Sequence, residues 1–346
     1  MPVTHEPHQR EERAVNIEIK GINLVPRRQT FAHVARRFGE DRAASRYEEA
    51  TYDVQATANF HYRPLYQPEF EIFDPRRTKI AMSDWYKFKD PRQYYYATYN
   101  MARAAQYQVA DRNFAIVEER GMIDGIAPAW RAKLAGYLIP LRHYEWGANM
   151  NAQLVTDWGY GTQITSAAAF SGADRLGLAQ FISRIGLLLD GGSGESLAQG
   201  RTQWLEEPHW QGLRKPVEDS FVVTDWFETF VAQNLALDGV MHPLVFEKFD
   251  RAGMAEGAAG ISMLTAFARD WFADHSRWVD AVIKTAADES ADNAKLLSAW
   301  AGAWVKRAEA AALPLAKYVL GDAGYGDVEV VVGELRRRGR TLGLSL

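Results

Sequence analysis

Residues 90–121, DPRQYYYATYNMARAAQYQVADRNFAIVEERG, mark the point at which the chain changes character. Before Asp90-Pro91, prolines interrupt nearly every short run. From Gln93 to about Leu320, almost all of the sequence is compatible with helix. The pattern predicts helices over 93–120, 127–158, 162–190, 197–206, 216–249, 258–287 and 290–320. Their breaks fall at Gly121 and Gly125, at Gly159-Tyr160-Gly161, at the loop Asp190–Gly194, at Glu207-Pro208, and at Gly257 with Gly260. Several of these segments run to about 30 residues, against a usual length of about 11–12 for a globular helix. Long helices joined by short loops pack as an antiparallel bundle. The fold class expected is therefore all-α.

Upstream, residues 1–92 read as an extended arm rich in proline and aromatics, carried by FHYRPLYQPEFEIFDPRRTK and SDWYKFKDPRQYYYATYN. Such proline density leaves room only for short helices, in an arm that lies against something. Residues 1–14 are charged and lack periodicity, as disordered segments do. Val15, Ile17 and Ile19 alternate with polar residues and predict a short strand. Phe31, Val34 and Phe38 share one face of a short helix within 30–39. Downstream of the helical domain at 93–320, the tail 321–346 leaves through glycines, and the alternation of Val328, Val330 and Val332 predicts a second short strand.

Composition bounds the function. The chain has 346 residues, 47% hydrophobic and 24% charged, enough for a large core in one domain with appendages or in two domains. A net charge of -4 gives no global basic field for nucleic acid. The absence of cysteine excludes disulfides, thiolate nucleophiles, Cys-ligated zinc and iron–sulfur ligation by this chain. The first twenty residues, MPVTHEPHQREERAVNIEIK, lack the apolar segment of a secretory signal, and no apolar run reaches the roughly 18–20 residues of a membrane helix. A cytoplasmic location is expected. The 11 Trp, 15 Tyr and 16 Phe exceed what one core needs and point to a large permanent interface.

Few patterns carry chemistry. DGGSGES at 190–196 follows a helix and matches neither a P-loop nor a complete GxGxxG, so it reads as a helix–helix loop. No GxSxG is present. His5 and His8 lie in the arm, His209 in EEPHWQG, and His242 before Pro243; each reads as a surface or satisfied histidine. A metal site in a long-helix bundle needs Glu-x-x-His on two helices, because residues i and i+3 share a face. Two segments approach that pattern and miss it. In PLRH, His143 is present but Pro140 holds the carboxylate position. In DHSRW, His275 and Trp278 stand where Glu and His are needed, and Trp271, His275 and Trp278 form an aromatic wedge on one face. The carboxylates available to complete such a site, Glu118, Glu119 and Glu228, read as exposed groups in salt links. Pro140 is expected to kink its helix. A bundle that has lost its metals should lose carboxylates and gain bulk, since a buried unpaired charge costs several kcal/mol.

The same residues carry a family resemblance. RRFG, ASRYEEATYDVQATANFHYRP, DWYKFKDPRQYYYATY, LIPLRHYEWGANMN, DRLGLAQFISRIGLLLDGGSG, WQGLRKPVEDSFVVTDWFE, AQNLALDGVMHPL and RDWFADHSRWVDA resemble the β subunit of bacterial multicomponent monooxygenase hydroxylases, above all the phenol hydroxylase group. The match covers about residues 25–320; PLRH and DHSRW look like metal-free relatives of the DELRH-like and DESRH-like segments of the catalytic α subunits. The resemblance implies a ferritin-like fold and an (αβγ)2 hydroxylase with di-iron in the α subunit. It also implies a reductase with FAD and [2Fe-2S] that draws on NADH, and a small effector protein. The β subunit would hold no metal and would support α. No ligand role carries over to Pro140, His143, Glu228, His275 or Trp278, the former ligand positions on this reading. Residues 1–14 and the basic run Arg336-Arg337-Arg338-Gly339-Arg340 fall outside the match and receive no role. Toluene and alkene monooxygenases share the subunit plan, so the substrate stays open. So do two other classes: a self-sufficient bundle metalloenzyme using His143, Glu228 and His275, and a stand-alone helical binding protein.

Overall fold

The computed structural model describes residues 31–58 and 61–346, and every regular element among them is helical. The expected strand at 15–19 and the segment 1–14 lie outside the described residues. Two short helices, α1 (Ala32–Phe38) and α2 (Arg46–Thr51), open the chain. Then follow α3 (Tyr96–Glu119), α4 (Pro128–Tyr137), α5 (Leu141–Trp158), α6 (Thr162–Leu189), α7 (Glu195–Glu206) and α8 (Pro208–Ser220). The next helix, α9, begins as Trp226–Phe230 and ends as Asp250–Met254, with π-helical turns at Val231–Leu237 and Leu244–Phe249 on either side of Asp238–Pro243. Two helices of some thirty residues, α10 (Ala259–Glu289) and α11 (Ala291–Leu320), precede the last, α12 (Gly324–Thr341).

The core is arranged around α9, whose residues 229–242 are all buried. A helix enclosed on all sides needs apolar residues around its whole circumference, and FVAQNLALDGVM supplies them with few interruptions. Helices α5, α10, α11 and α12 pack around it, and α6 lies along α5. Helix α5 approaches α6 closely at Gly172, where a Cβ would lie 2.4 Å from Gln153 Nε2, and Asn149 Nδ2 donates to Gly172 O at 2.8 Å. Gly239 does the same for α9 against α12: a Cβ there would lie 2.7 Å from Leu335 Cδ1.

Four expectations are corrected. The segment 127–158 is two helices, because α4 ends at Tyr137 and a turn at 138–140 leads into α5. Pro140 sits at the N-cap of α5, where its missing N–H is no loss, so there is no kinked helix interior. The segment 216–249 is likewise divided: α8 runs from Pro208 to Ser220, and Asp225 restarts the chain by capping α9 through Phe227 N (2.9 Å) and Glu228 N (3.3 Å). The valines of the tail form no strand. Val328, Val331, Val332 and Leu335 fall on one helical face and are buried, while Val330 points outward, so the period is 3.6 and the two-residue alternation was incidental. The basic run continues that helix, with Arg336 on Glu309 (2.7 Å) and Arg338 on Asp280 (2.7 Å).

The described part of the arm lies on its own bundle. Trp85 packs against Tyr160 and Trp226, and Tyr66 stacks on Trp158 at 5.0 Å. The backbone of residues 79–83 is stitched to the bundle by side chains: Asp225 accepts from Lys79 N (2.7 Å), Asn293 pairs with both Ala81 N (3.1 Å) and Ala81 O (2.8 Å), and Glu289 accepts from Ser83 N (2.7 Å). The loop at 190–194 joins α6 to α7 as expected of a helix connection, with Asp190 accepting from Gly192 N and Ser196 N.

Candidate functional site

The polar centre of the bundle is built on three helices. On α5, Leu141, Tyr144, Glu145, Ala148 and Val155 share the buried face, which puts a carboxylate among apolar side chains. Opposite it, α6 contributes Arg175, fully buried. From α9 come Gln233, Asp238 and His242. The π-turn at Val231–Leu237 adds a residue to the helical turn, and both Gln233 and Asn234 are buried beside Asp238.

Arg175 lies between the two carboxylates. Its Nη1 donates to Glu145 Oε2 at 2.9 Å and its Nη2 donates to Asp238 Oδ2. The Trp271 ring of α10 covers the guanidinium at 4.4 Å. Asp238 Oδ1 accepts from Tyr144 Oη (2.6 Å) and Gln233 Nε2 (2.9 Å), while Glu145 Oε1 lies 3.2 Å from His242 Nε2. Burial is the largest influence and acts to raise the Glu145 carboxyl, but the charge and hydrogen bond of Arg175 together with the contact to His242 outweigh it and hold the group below the usual carboxylate range. Burial likewise disfavours the guanidinium charge, and Asp238 and Glu145 more than offset it, so Arg175 stays charged. Burial first, then Asp238, holds the Tyr144 phenol well above its ordinary value, as a hydrogen-bond donor.

A second buried ion pair adjoins the first. Asp174 accepts from Arg103 Nε and Nη2, both at 2.7 Å, from Tyr99 Oη at 2.9 Å and from Trp271 Nε1 at 2.9 Å. Trp271 therefore joins the two clusters, with its face on Arg175 and its N–H on Asp174.

The residues singled out in the sequence scatter. His143 leaves the core face and stacks on Trp204 of α7, with ring centroids 6.2 Å apart. Burial and the nearby Arg142 and Arg201 push its pKa down to about 4. Glu228 lies at the start of α9, half-buried, accepting from Trp304 Nε1 at 3.1 Å. Glu118 and Glu119 are exposed at the end of α3. Only the wedge assembles: Trp271 stacks on His275 (4.5 Å), His275 meets Trp278 edge-on (5.5 Å), and all three are buried. His275 Nε2 lies 3.0 Å from Asn234 Oδ1, and burial with the charges of Arg175 and Arg92 holds the ring well below its ordinary pKa, hence neutral. His242, read as an ordinary satisfied histidine, belongs to the central cluster, and its Nδ1 has no hydrogen-bond partner. His209 stacks flat on Tyr318 at 4.0 Å.

Sequence reasoning passed over Arg175 and Asp238 and gave Glu145 no partner. The available signal was Asp238 and His242, four apart and so on one helix face, inside an otherwise apolar run. The expectation that carboxylates are lost is also corrected. Two carboxylates, Glu145 and Asp238, lie buried at the bundle centre and share one guanidinium.

The methane/phenol/alkene hydroxylase family model matches residues 66–290. The chain belongs to that family. It is 46% identical, over 91% of its length and 95% of the relative's, to the oxygenase component DmpL of phenol 2-monooxygenase from Pseudomonas sp. strain CF600. It is 27% identical, over 67% of its length and 72% of the relative's, to the β subunit of the toluene-4-monooxygenase hydroxylase component from Ectopseudomonas mendocina. In structure it matches a chain of the xenon-pressurized phenol hydroxylase from Pseudomonas sp. OX1 with a TM-score of 0.88 and 40% identity, covering 95% of this chain and 99% of that one. Measured against the di-iron centre that bundles of this kind can carry, this member of the hydroxylase family has the wrong donor set. That centre takes a Glu from each of two helices and a Glu-x-x-His pair from each of two more. Here Glu145, Asp238 and His242 close on Arg175, and His275 is engaged by Asn234. Among the described residues no group of Asp, Glu and His side chains is disposed to hold a metal ion.

Proposed function

We propose that this chain is a subunit of the oxygenase component of a phenol 2-monooxygenase, and that within it the chain is the non-catalytic β subunit. The observation that carries the second half is the guanidinium of Arg175 at the bundle axis, bonded to Glu145 and Asp238 and roofed by Trp271. A reactive centre needs open coordination positions or a cavity at that point. The protein's own side chain fills it, and the wedge of Trp271, His275 and Trp278 fills the space beside it.

The first half rests on 46% and 40% identity to two phenol-hydroxylating proteins, each matched over nearly its full length. In this reading the di-iron centre belongs to a larger α subunit, and α, β and γ assemble as (αβγ)2. A reductase with FAD and [2Fe-2S] supplies electrons from NADH, an effector protein regulates turnover, and the complex is cytoplasmic. No described helix is long and apolar enough to cross a membrane. The β subunit contributes area and rigidity: Trp146, Met150 and Val222 lie exposed around α5 and the α8–α9 turn, as interface apolar residues do in an isolated subunit.

Reconstitution tests the reading. The purified chain alone should contain no stoichiometric iron and hydroxylate no phenol. Co-expression with the α and γ subunits should give a single complex with iron confined to α. Stoichiometric iron in this chain, or turnover without α, sinks the proposal.

A further inference from the structure

Away from the bundle axis, helices α3, α6 and α10 leave a cavity of about 80 Å³ between them. At about 10–15 Å³ for each water-sized sphere this is room for roughly five to eight of them, the bulk of a six-membered ring with one further atom. Its inner wall is apolar. Leu178, Phe181 and Trp271 are buried there, and Phe267 stands beside Phe181 with ring centroids 4.5 Å apart. The charged groups at its end are already engaged. Asp174 accepts four hydrogen bonds, and Arg103 directs Nε and Nη2 to Asp174 and Nη1 to Gln106 Oε1 at 2.8 Å. A cation would find no spare carboxylate lone pair and an anion no unpaired guanidinium, so the cavity favours a neutral occupant. Two polar atoms are left over: Gln106 Nε2 and the Tyr107 hydroxyl bond to no described residue. Tyr107 is 41% exposed, packs on Phe181 with ring centroids 4.9 Å apart, and shares the mouth with exposed Ala173.

We propose that this cavity binds a neutral single-ring aromatic molecule carrying a hydroxyl group, of the class of phenol. The ring lies among Leu178, Phe181, Phe267 and Trp271, at the separations of about 4.5–7 Å that aromatic pairs prefer. Its oxygen accepts from Gln106 Nε2. The site is complete within this chain and needs neither a partner chain nor iron, so it stands apart from the role proposed for the subunit.

The test titrates the purified full-length chain with phenol and with benzene, followed by calorimetry and by the Trp271 indole N–H resonance. Phenol should bind saturably, in the millimolar range or tighter, and shift that resonance. Ala173→Phe sets a ring in the mouth from the solvent side, outside the packed core, and should weaken phenol at least about tenfold. Gln106→Leu keeps the bulk and removes the amide donor; phenol should weaken about fivefold and benzene by less than about twofold. Circular dichroism establishes that each variant folds, and Ala173→Leu replaces Ala173→Phe if the larger plug does not. The proposal is overturned if the wild type shows no saturable phenol binding, if binding leaves the Trp271 resonance unmoved, if it survives a folded plug, or if Gln106→Leu treats phenol and benzene alike.

Discussion

Glu145 shows how much one residue of the axis carries. It accepts from Arg175 through one oxygen and faces His242 through the other. Glu145→Ala leaves Asp238 as the only carboxylate on Arg175 and takes the carboxylate from His242; breaking a buried pair in this way costs about 3–5 kcal/mol. The urea midpoint at pH 7 should fall accordingly. Tyr144→Phe is milder, because Asp238 keeps Arg175 and Gln233 as donors; the loss of one hydrogen bond to a charged group is worth about 1–3 kcal/mol. The buried histidines set a pH dependence of definite sign. Above the ordinary histidine pKa of about 6.5, His143 and His275 are neutral folded and unfolded and contribute nothing. Below it the unfolded chain takes up protons that the folded one refuses, so stability falls with pH. For His143 the fall continues until the folded ring itself protonates near pH 4, and for His275 it extends further. His143→Phe keeps the stack on Trp204 and should flatten the decline between pH 6.5 and 4, as measured by urea unfolding at stepped pH. An unchanged slope would show that His143 titrates normally.

At the scale of elements, the long helices were legible because their apolar period and glycine breaks are local properties. The segments 162–190, 258–287 and 290–320 lie within a few residues of α6, α10 and α11. What failed was the placing of proline and the reading of short alternations. Pro140 marks a helix start rather than an interior, and a sequence window of continuous helix former on both sides hides the turn at 138–140. The alternation in the tail resolved only when α9 and α11 supplied a face for Val328, Val331 and Leu335 to cover. The central cluster was illegible for a related reason. Arg175 and Asp238 are 63 residues apart, and nothing local says that α6 and α9 meet there. Close helix approach can be tested directly at Gly136 of α4. A methyl group there would run into the Tyr318 hydroxyl and ring from α11. Overpacking of this kind costs about 1–3 kcal/mol. Gly136→Ala should lower the urea midpoint in the wild-type background and do so far less in Tyr318→Ala, a coupling that a double-mutant cycle reads. Equal costs in both backgrounds would place the strain elsewhere.

At the scale of the whole molecule, the question is how a proline-broken arm is kept on a bundle to which it contributes no long helix. The answer is a few side chains that substitute for a neighbouring strand. Asn293, near the start of α11, presents its amide edge to the backbone of Ala81, accepting from the N–H at 3.1 Å and donating to the C=O at 2.8 Å. Its own position is fixed by Ser290, whose hydroxyl caps α11 through Asn293 N at 3.1 Å, and by a further bond from Nδ2 to Ala286 O. Two residues along the arm from Ala81, Ser83 N donates to Glu289, which also accepts from Lys87 Nζ, both at 2.7 Å, and these contacts lower the Glu289 pKa to about 2. The Glu289 clasp is therefore complete above the unfolded carboxylate value, near 4.3, and is lost as pH falls through about 2. The Asn293 clasp does not titrate, comes from a buried side chain, and satisfies both backbone polar groups of Ala81, so it is the stronger. Asn293→Ala removes both bonds to Ala81 and should shift the local opening of residues 79–83 by about 1.4 kcal/mol or more, a factor of about 10 in the open population. Limited proteolysis at pH 7 should then cut the arm near Ala81 about tenfold faster, while circular dichroism and the global urea midpoint change little. Glu289→Gln keeps the bond from Ser83 and should leave cleavage at pH 7 almost unchanged. Equal acceleration by the two substitutions would mean that the arm is held by its aromatic contacts with Tyr160, Trp158 and Trp226, and that the polar clasps only set its register.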